Sequence, residues 1–347
     1  MSNNLRPGML LCMGNPLLDI SAQADDQFLK KYDLLPNNAI LADAKHEPLY
    51  EDLIKNHKAE FTAGGAALNT ARIAQIILKT VNVVVYMGCI SDDEYGKILE
   101  EKARSDGVDT RFQYTHEKPT GTSAVIISKD GKSRSIVANL SASQMFTIKH
   151  IETPENKKVI ENAQYFYITG YFICVSPDTA LSVAMEALKN KKVSVLNLSA
   201  PYVCEFYHES LTKLLPFVDI VFGNESEALA FSKQFRLATE CISEIALKMS
   251  KLHKYNESRK KLVVITQGDL PVIVADGSRV REFEVMKLPQ DKVIDTNGAG
   301  DAFVGGFLSQ LILQQPYETC VKCGIWAASE IIQQSGCALR ADAEFSI

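Results

Sequence analysis

Apolar residues along the chain recur with two different periods. Short β-branched runs at Val83 to Tyr86, Ala163 to Ile168, Val193 to Asn197, Val218 to Phe222 and Leu262 to Thr266 predict buried strands. Between them, Asp92 to Arg104, Ser176 to Asn190, Asn224 to Phe235 and Thr239 to Leu252 place apolar residues at helical spacing, and Asp92, Ser176 and Asn224 are residue types that cap helix starts. Strand and helix in repetition predict an α/β fold with a central, mostly parallel sheet flanked by helices. Two stretches break the rhythm. Residues from about 16 to 63 and from about 118 to 142 carry short alternating strands, with Lys129-Asp-Gly-Lys132 as a turn between Thr122 to Ser128 and Ser133 to Val137. Together they predict a small β-rich lid on a single domain, since no linker, repeat or low-complexity segment divides the chain.

Composition narrows the function classes. With 347 residues, 46% hydrophobic and 23% charged, the chain can bury a large core, which excludes disorder. Lys and Arg number 37 against 42 Asp and Glu, a formal charge of -5 without a basic run, so no nucleic-acid partner is expected. No apolar stretch approaches the roughly 20 residues that span a bilayer, and the N-terminus lacks a secretory apolar region; neither a membrane nor an export route is expected. The eight Cys lie singly in apolar segments and read as buried thiols in a reducing compartment. Cys320-x-x-Cys323 has no second pair or His beside it, and the six His show no ligand spacing, so core packing rather than a metal site is expected there.

The segment Ile294-Asp-Thr-Asn-Gly-Ala-Gly-Asp301 passes from a Gly-rich turn into the helical pattern Phe303, Phe307, Leu311. Gly298 and Gly300 let the backbone approach an anion, and the helix start offers N–H groups and a positive dipole end. A carboxylate at Asp301 would repel a resting phosphate, but it is well placed to accept a proton from a hydroxyl attacking one; the alternative is a plain helix cap. A dinucleotide fingerprint fails because Phe303 stands where it needs Gly, and a P-loop ending at Gly131-Lys132-Ser133 fails because position 126 is Ile. Ala63-Gly-Gly-Ala-Ala-Leu-Asn69 is a second Gly pair opening a helix, and Asn15 and Asp19 leave the first strand four residues apart. An amide and a carboxylate there can bond vicinal hydroxyls, against the alternatives of an Asx turn and of tight helix packing at Gly64-Gly65.

Jointly and in this order, Gly64-Gly65 with Asn69 and Asp295-Thr-Asn-Gly-Ala-Gly-Asp301 resemble the two signatures of the ribokinase (PfkB) family of carbohydrate and nucleoside kinases, and the resemblance covers nearly the whole chain. Gly14-Asn-Pro-Leu-Leu-Asp-Ile-Ser21, Pro119-Thr-Gly-Thr122, Asn197-Leu-Ser-Ala-Pro201 and Phe222-Gly-Asn-Glu-Ser-Glu227 resemble a branch whose acceptor is adenosine. The resemblance implies transfer of the ATP γ-phosphoryl to the adenosine 5′-hydroxyl, with Mg²⁺ as cofactor and ATP as co-substrate. It implies Asp301 as base, Gly298, Ala299 and Gly300 as backbone anion hole, and Arg134 as a lid arginine closing over the phosphates. Asn15, Asp19, Gly64, Gly65 and Asn69 would hold the ribose. Leu17, Ile40, Ile136, Ala138, Leu140 and Phe172 would flank the purine, although each also reads as ordinary core, and Arg134 as a solvated surface residue. Asn224, Thr266, Gly268 and Asn297 would meet ATP. Glu227, which also reads as a favourable charge in a first helical turn, would hold Mg²⁺ through water. A monomer in the cytoplasm, with the nucleus as a second address, is implied as well. Ala66-Ala67-Leu68 and the tail from Ala338 depart from the family pattern. Another sugar or nucleoside kinase, or a catalytically silent nucleoside sensor, are the alternatives.

Overall fold

Leu10, Leu11, Cys12 and Met13 are all buried, with Leu10 and Cys12 turned into one hydrophobic core and Leu11 and Met13 into another. That double burial is what a strand needs at the centre of a sheet covered on both faces. In the computed structural model, which describes residues 5–36, 38–128, 133–289, 292–334, 336–340 and 342–346, this strand, β1 (Leu10–Met13), belongs to a nine-stranded sheet. Its companions are β5 (Val84–Met87), β7 (Asp109–Thr110), β11 (Tyr165–Thr169), β12 (Val193–Asn197), β13 (Ile220–Asn224), β14 (Leu262–Gln267), β15 (Leu270–Ala275) and β16 (Val280–Phe283). The order is β16-β15-β14-β13-β12-β11-β1-β5-β7, parallel except for the antiparallel pairs β14–β15 and β15–β16. All five strands expected from periodicity are present, each within two residues at its ends.

The small sheet has five strands in the order β3-β10-β9-β2-β4: β2 (Leu17–Ala24), β3 (Ala39–Leu41), β4 (Glu60–Gly64), β9 (Thr122–Ser128) and β10 (Arg134–Asn139). A further short pair joins β6 (Cys89–Ser91) to β8 (Gln113–Thr115). The small sheet is less purely β than its sequence suggested, because helices Asp26–Lys31 and Glu47–Asn56 cover one face and share a core with Ile20, Ala124, Ile126 and Val137. Even-numbered residues of β2 point into protein, whereas Leu17, Asp19 and Ser21 are only half buried on the opposite face. The turn expected at Lys129-Asp-Gly-Lys132 lies outside the described residues. Among the described residues no helix is long and apolar enough to cross a membrane.

Candidate active site

The chain runs from β1 outward to β5 and later returns to place β11 on the other side of β1. Such a reversal leaves a crevice at the carboxyl ends of the strands, where open α/β sheets bind ligands. The ends of β12, β13 and β14 meet there with the start of the Ala299–Ile312 helix. This helix has Gly298 as N-cap in the left-handed conformation, φ +77°, and no side chain caps it. Gly298 is held from behind, since a Cβ on it would lie 2.9 Å from Cys337 Cβ. Ala299 N–H makes a long turn bond of 3.3 Å to Thr296 O. Gly300 is exposed at the helix mouth.

Asp301 lies in the first turn of this helix and accepts a hydrogen bond from Asn69 Nδ2 at 3.0 Å. Thr70 Oγ1 donates to the Asp301 carbonyl at 3.1 Å, so the Ala66–Leu78 helix fixes both ends of the residue. Burial raises the Asp301 carboxyl to about 7; the Asn69 bond opposes this, and the charges of Asp19 and Glu227 add to it. A carboxyl poised there suits a general base near neutral pH.

Beside it, the antiparallel pairing of β2 and β4 sets Leu17 opposite Gly64 and Asp19 opposite Thr62. The Asp19 carboxylate occupies the space a Gly64 side chain would need, its Oδ2 only 2.2 Å from an added Cβ. Gly65 turns the chain at φ +94° into the helix and brings its Cα against Asn15, with 2.2 Å from an added Cβ to Asn15 O. Burial raises Asp19 to about 7, opposed chiefly by Arg72 and by a hydrogen bond from Ser123. The amide oxygens Asn15 Oδ1 and Asn69 Oδ1 are buried without a hydrogen-bond partner. Orphaned acceptors next to a carboxylate match a ligand rich in hydroxyl donors.

Two of the residues expected around a base face elsewhere. Phe172 is fully buried and packs edge-on against Phe146, with ring centroids 5.2 Å apart, in the core beneath the sheet. Its neighbour Tyr171 is the residue whose hydroxyl feels the charges of Asp301 and Glu227, and its ring lies 6.2 Å from that of Tyr202. Ile40 pairs with Val137 and packs on the core of the small sheet; Leu41, paired with Ala138, takes the other face. Phe172 and Ile40 both take the ordinary core packing that was the alternative for them, and their neighbours point elsewhere because adjacent residues differ by about 100° in a helix and 180° in a strand. Ile136, Ala138 and Leu140 are half buried, and Ile136 lines a cavity of about 250 Å³ with Arg134, Asp295, Thr296 and Asn297.

Arg134 is buried, not solvated, and its Nε lies 3.2 Å from Asp295 Oδ2, which ties the small sheet to the glycine turn. Asn297 belongs to this side of the turn, where its N–H bonds Asp295 Oδ1 at 2.9 Å. Across the turn opens a cavity of about 720 Å³ lined by Asn224, Glu227, Thr266, Gly268, Ala299 and Gly300, with an apolar wall that includes Val272, Val285, Phe303 and Val304. Val293 and Thr296 line both spaces, and Gly300, the residue before Asp301, lines the larger one. Asn224 and Glu227 form a reciprocal capping box, in which Glu227 N donates to Asn224 Oδ1 at 2.9 Å and Asn224 N donates to Glu227 Oε2 at 3.0 Å. That bond occupies Glu227 Oε2, and burial raises the carboxyl to about 7. Among the described residues no group of three acidic, His or Cys side chains could hold a metal by itself. A single buried carboxylate facing the cavity fits Mg²⁺, which keeps several waters and takes phosphate oxygens.

Tyr171, which feels the charges of Asp301 and Glu227, Tyr202 against its ring and Arg72, whose charge acts on Asp19, were not singled out from sequence. The first two adjoin residues or motifs that were, so their signal was present but one position away. Arg72 lies one turn beyond Asn69 and gave no signal.

The model of the pfkB family carbohydrate kinases matches residues 26–343. Adenosine kinase 2 of Arabidopsis thaliana is 46% identical over 330 residues, 95% of each chain. The crystal structure of Anopheles gambiae adenosine kinase in complex with P1,P4-di(adenosine-5) tetraphosphate is 48% identical and superposes with a TM-score of 0.87, over 96% of this chain and 98% of that one. Schistosoma mansoni adenosine kinase in complex with 2-fluoroadenosine is 36% identical, with a TM-score of 0.89 over 97% and 99% of the two chains. Matched by this family model over residues 26–343 and 46% identical to a relative along 95% of its length, the chain belongs to the pfkB family of carbohydrate kinases.

Proposed function

We propose that this protein is an adenosine kinase, transferring the γ-phosphoryl group of ATP to the 5′-hydroxyl of adenosine to give AMP and ADP. One observation carries the reading: the Asp301 carboxylate, fixed by Asn69 at the mouth of an uncapped helix, faces a corner where Asp19 and the orphaned oxygens of Asn15 and Asn69 await hydroxyl donors. Relatives named adenosine kinase match about 95% of the chain, and solved ones are complexes with 2-fluoroadenosine and with P1,P4-di(adenosine-5) tetraphosphate.

In this reading the ribose 2′- and 3′-hydroxyls donate to Asp19 and to the Asn15 and Asn69 oxygens, which leaves the 5′-hydroxyl at Asp301. Leu17, Ile136, Ala138 and Leu140 cover one side of the purine, and the Tyr171 and Tyr202 rings the other. ATP lies in the larger cavity beside Asn224, Thr266 and Gly268, with its γ-phosphate at the backbone amides from Gly298 to Gly300. Asp301 takes the proton as the 5′-oxygen attacks, and the amides and Arg134 stabilise charge on the transferring oxygens. Glu227 would hold Mg²⁺ through water, and the ion would supply neutralisation of phosphate charge. Closure of the small sheet excludes water, which limits hydrolysis of ATP. The protein works as a monomer in the cytoplasm, with the nucleus as a second address.

A panel of nucleosides and sugars with Mg·ATP tests the reading. Adenosine is expected to give the highest kcat/KM, and 2′-deoxyadenosine to lose because it leaves buried acceptors unpaired. Ribose or inosine exceeding adenosine by a wide margin overturns the substrate, and absence of AMP formation overturns the enzyme. The pH profile adds a second check. Asp301 and Asp19 must be ionised to act, and both sit at about 7, so kcat/KM falls on the acid side of neutrality and levels off above about pH 8. A profile flat down to about pH 5 contradicts the assignment of a raised carboxyl as base.

A further inference from the structure

Arg72 is 5% exposed, a cation buried in the Ala66–Leu78 helix one turn past Asn69. Its Nη1 donates to Ala63 O at 2.6 Å and to Cys337 O at 3.2 Å, and its Nε pairs with Asp106 Oδ2 at 2.5 Å. Ala63 immediately precedes the Gly64-Gly65 corner against which Asp19 rests, and Cys337 is the residue packed behind Gly298. One guanidinium therefore touches the strand end that shapes the hydroxyl corner and the segment that backs the anion hole, two parts of the site separated by more than two hundred positions in sequence.

Building on the nucleoside-kinase reading above, we propose that Arg72 is a positioning residue for the acceptor site, holding the Gly64-Gly65 corner and the backing of Gly298 in register while supplying the positive charge that faces Asp19. Apolar packing would fill the same volume without the desolvation cost of a buried cation. The groups facing Asp19 show what the charge is for. Ser123 approaches from β9, Asp295 from the glycine turn, Asp301 from the last site helix and the Cys337 thiol from the C-terminal segment; Arg72 is the cation among them. Asp295 and Asp301 disfavour an ionised Asp19 and Arg72 favours it, so removing the guanidinium leaves Asp19 protonated at neutral pH and unable to accept two hydroxyls.

The test uses full-length protein carrying Asp301→Asn, so that the base itself does not titrate, and follows adenosine binding by calorimetry without ATP from about pH 5.5 to 8.5. Arg72→Met is expected to weaken adenosine at least roughly tenfold at pH 7 and to move the acid midpoint of binding upward by about one pH unit. Arg72→Lys keeps the charge and is expected to restore the midpoint to within a few tenths of a unit, although binding stays weaker because lysine cannot reproduce the fork. A folded Arg72→Met protein with an unmoved midpoint overturns the proposal. If that variant does not fold, Asp106→Asn decides: loss of the anion that neutralises the guanidinium moves the midpoint down, and an unmoved or raised midpoint overturns the proposal. Failure of the parent to bind adenosine at any pH defeats the nucleoside-kinase reading itself, and this inference with it. Normal parent binding with unshifted variants defeats this inference alone.

Discussion

Asparagine in place of Asp301 is expected to lower kcat on adenosine by about three orders of magnitude while adenosine affinity changes no more than a few-fold, since positioned general bases contribute roughly 10²–10⁴-fold. The asparagine side chain fills the same space and can still meet Asn69, so the hydroxyl corner made by Asn15, Asp19 and Gly65 is left standing. Single-turnover kinetics with direct nucleoside titration separates the two effects. Near-normal turnover would mean that another group takes the proton. The same substitution is expected to stabilise the unliganded protein. A carboxyl raised to about 7 in the fold contributes stability that is complete below its unfolded value near 3.8 and is lost as pH rises through 7. At neutral pH the wild-type protein therefore carries a charge that burial disfavours, and asparagine removes that burden. The gain in melting temperature, about 1–2 °C for each kcal/mol in a chain of this length, should shrink as the buffer is taken toward pH 5. Stability gained where activity is lost is what a site built for chemistry predicts.

Gly65→Ala is the substitution expected to damage acceptor binding most. At φ +94° an L side chain is strained, and the added Cβ falls 2.2 Å from Asn15 O and 3.3 Å from Leu17 N, both backbone atoms that no rotamer change can relieve. Either the corner opens or Asn15 moves, and in both cases the hydroxyl acceptors lose register. Strain of this kind costs on the order of 1–3 kcal/mol, so KM for adenosine should rise by roughly one to two orders of magnitude, with KM for ATP little changed. Equal rises in both would show a general loss of structure. Gly300→Ala is the contrast: its Cβ meets no heavy atom within 4 Å, so the unliganded fold tolerates it, whereas a methyl at the helix mouth blocks approach of the phosphate. Slow turnover with intact adenosine binding is the expected signature.

Much of this site was legible one motif at a time. Close backbone approach was read at Gly298 and Gly65, and both lie in close contact with neighbours, at positive φ. Asn224 and Glu227 stood in the spacing of a reciprocal cap and formed one. Reading the helix starts was less exact: Asp93, not Asp92, caps the Glu94–Ser105 helix, because its carboxylate is the one that reaches Gly96 N. The small sheet was expected as strands alone, yet its apolar face required cover and recruited two helices from the same stretch. Arg134 reads as an exposed hairpin residue until the sheet is set against the glycine turn, where Asp295 receives it.

Sequence alone determined the alternation of strand and helix, the glycine turns and the residue types able to accept a proton or bind hydroxyls, because each depends on backbone sterics and periodicity within one element. Tertiary structure decided that Phe172 and Ile40 pack on hydrophobic cores, since facing is fixed by the element packed opposite. It also decided that Asp19 and Asp301 titrate near neutrality and that Arg72 stands among them. Those properties come from burial and from charges brought close by chain segments far apart in sequence, and no local pattern records such distances.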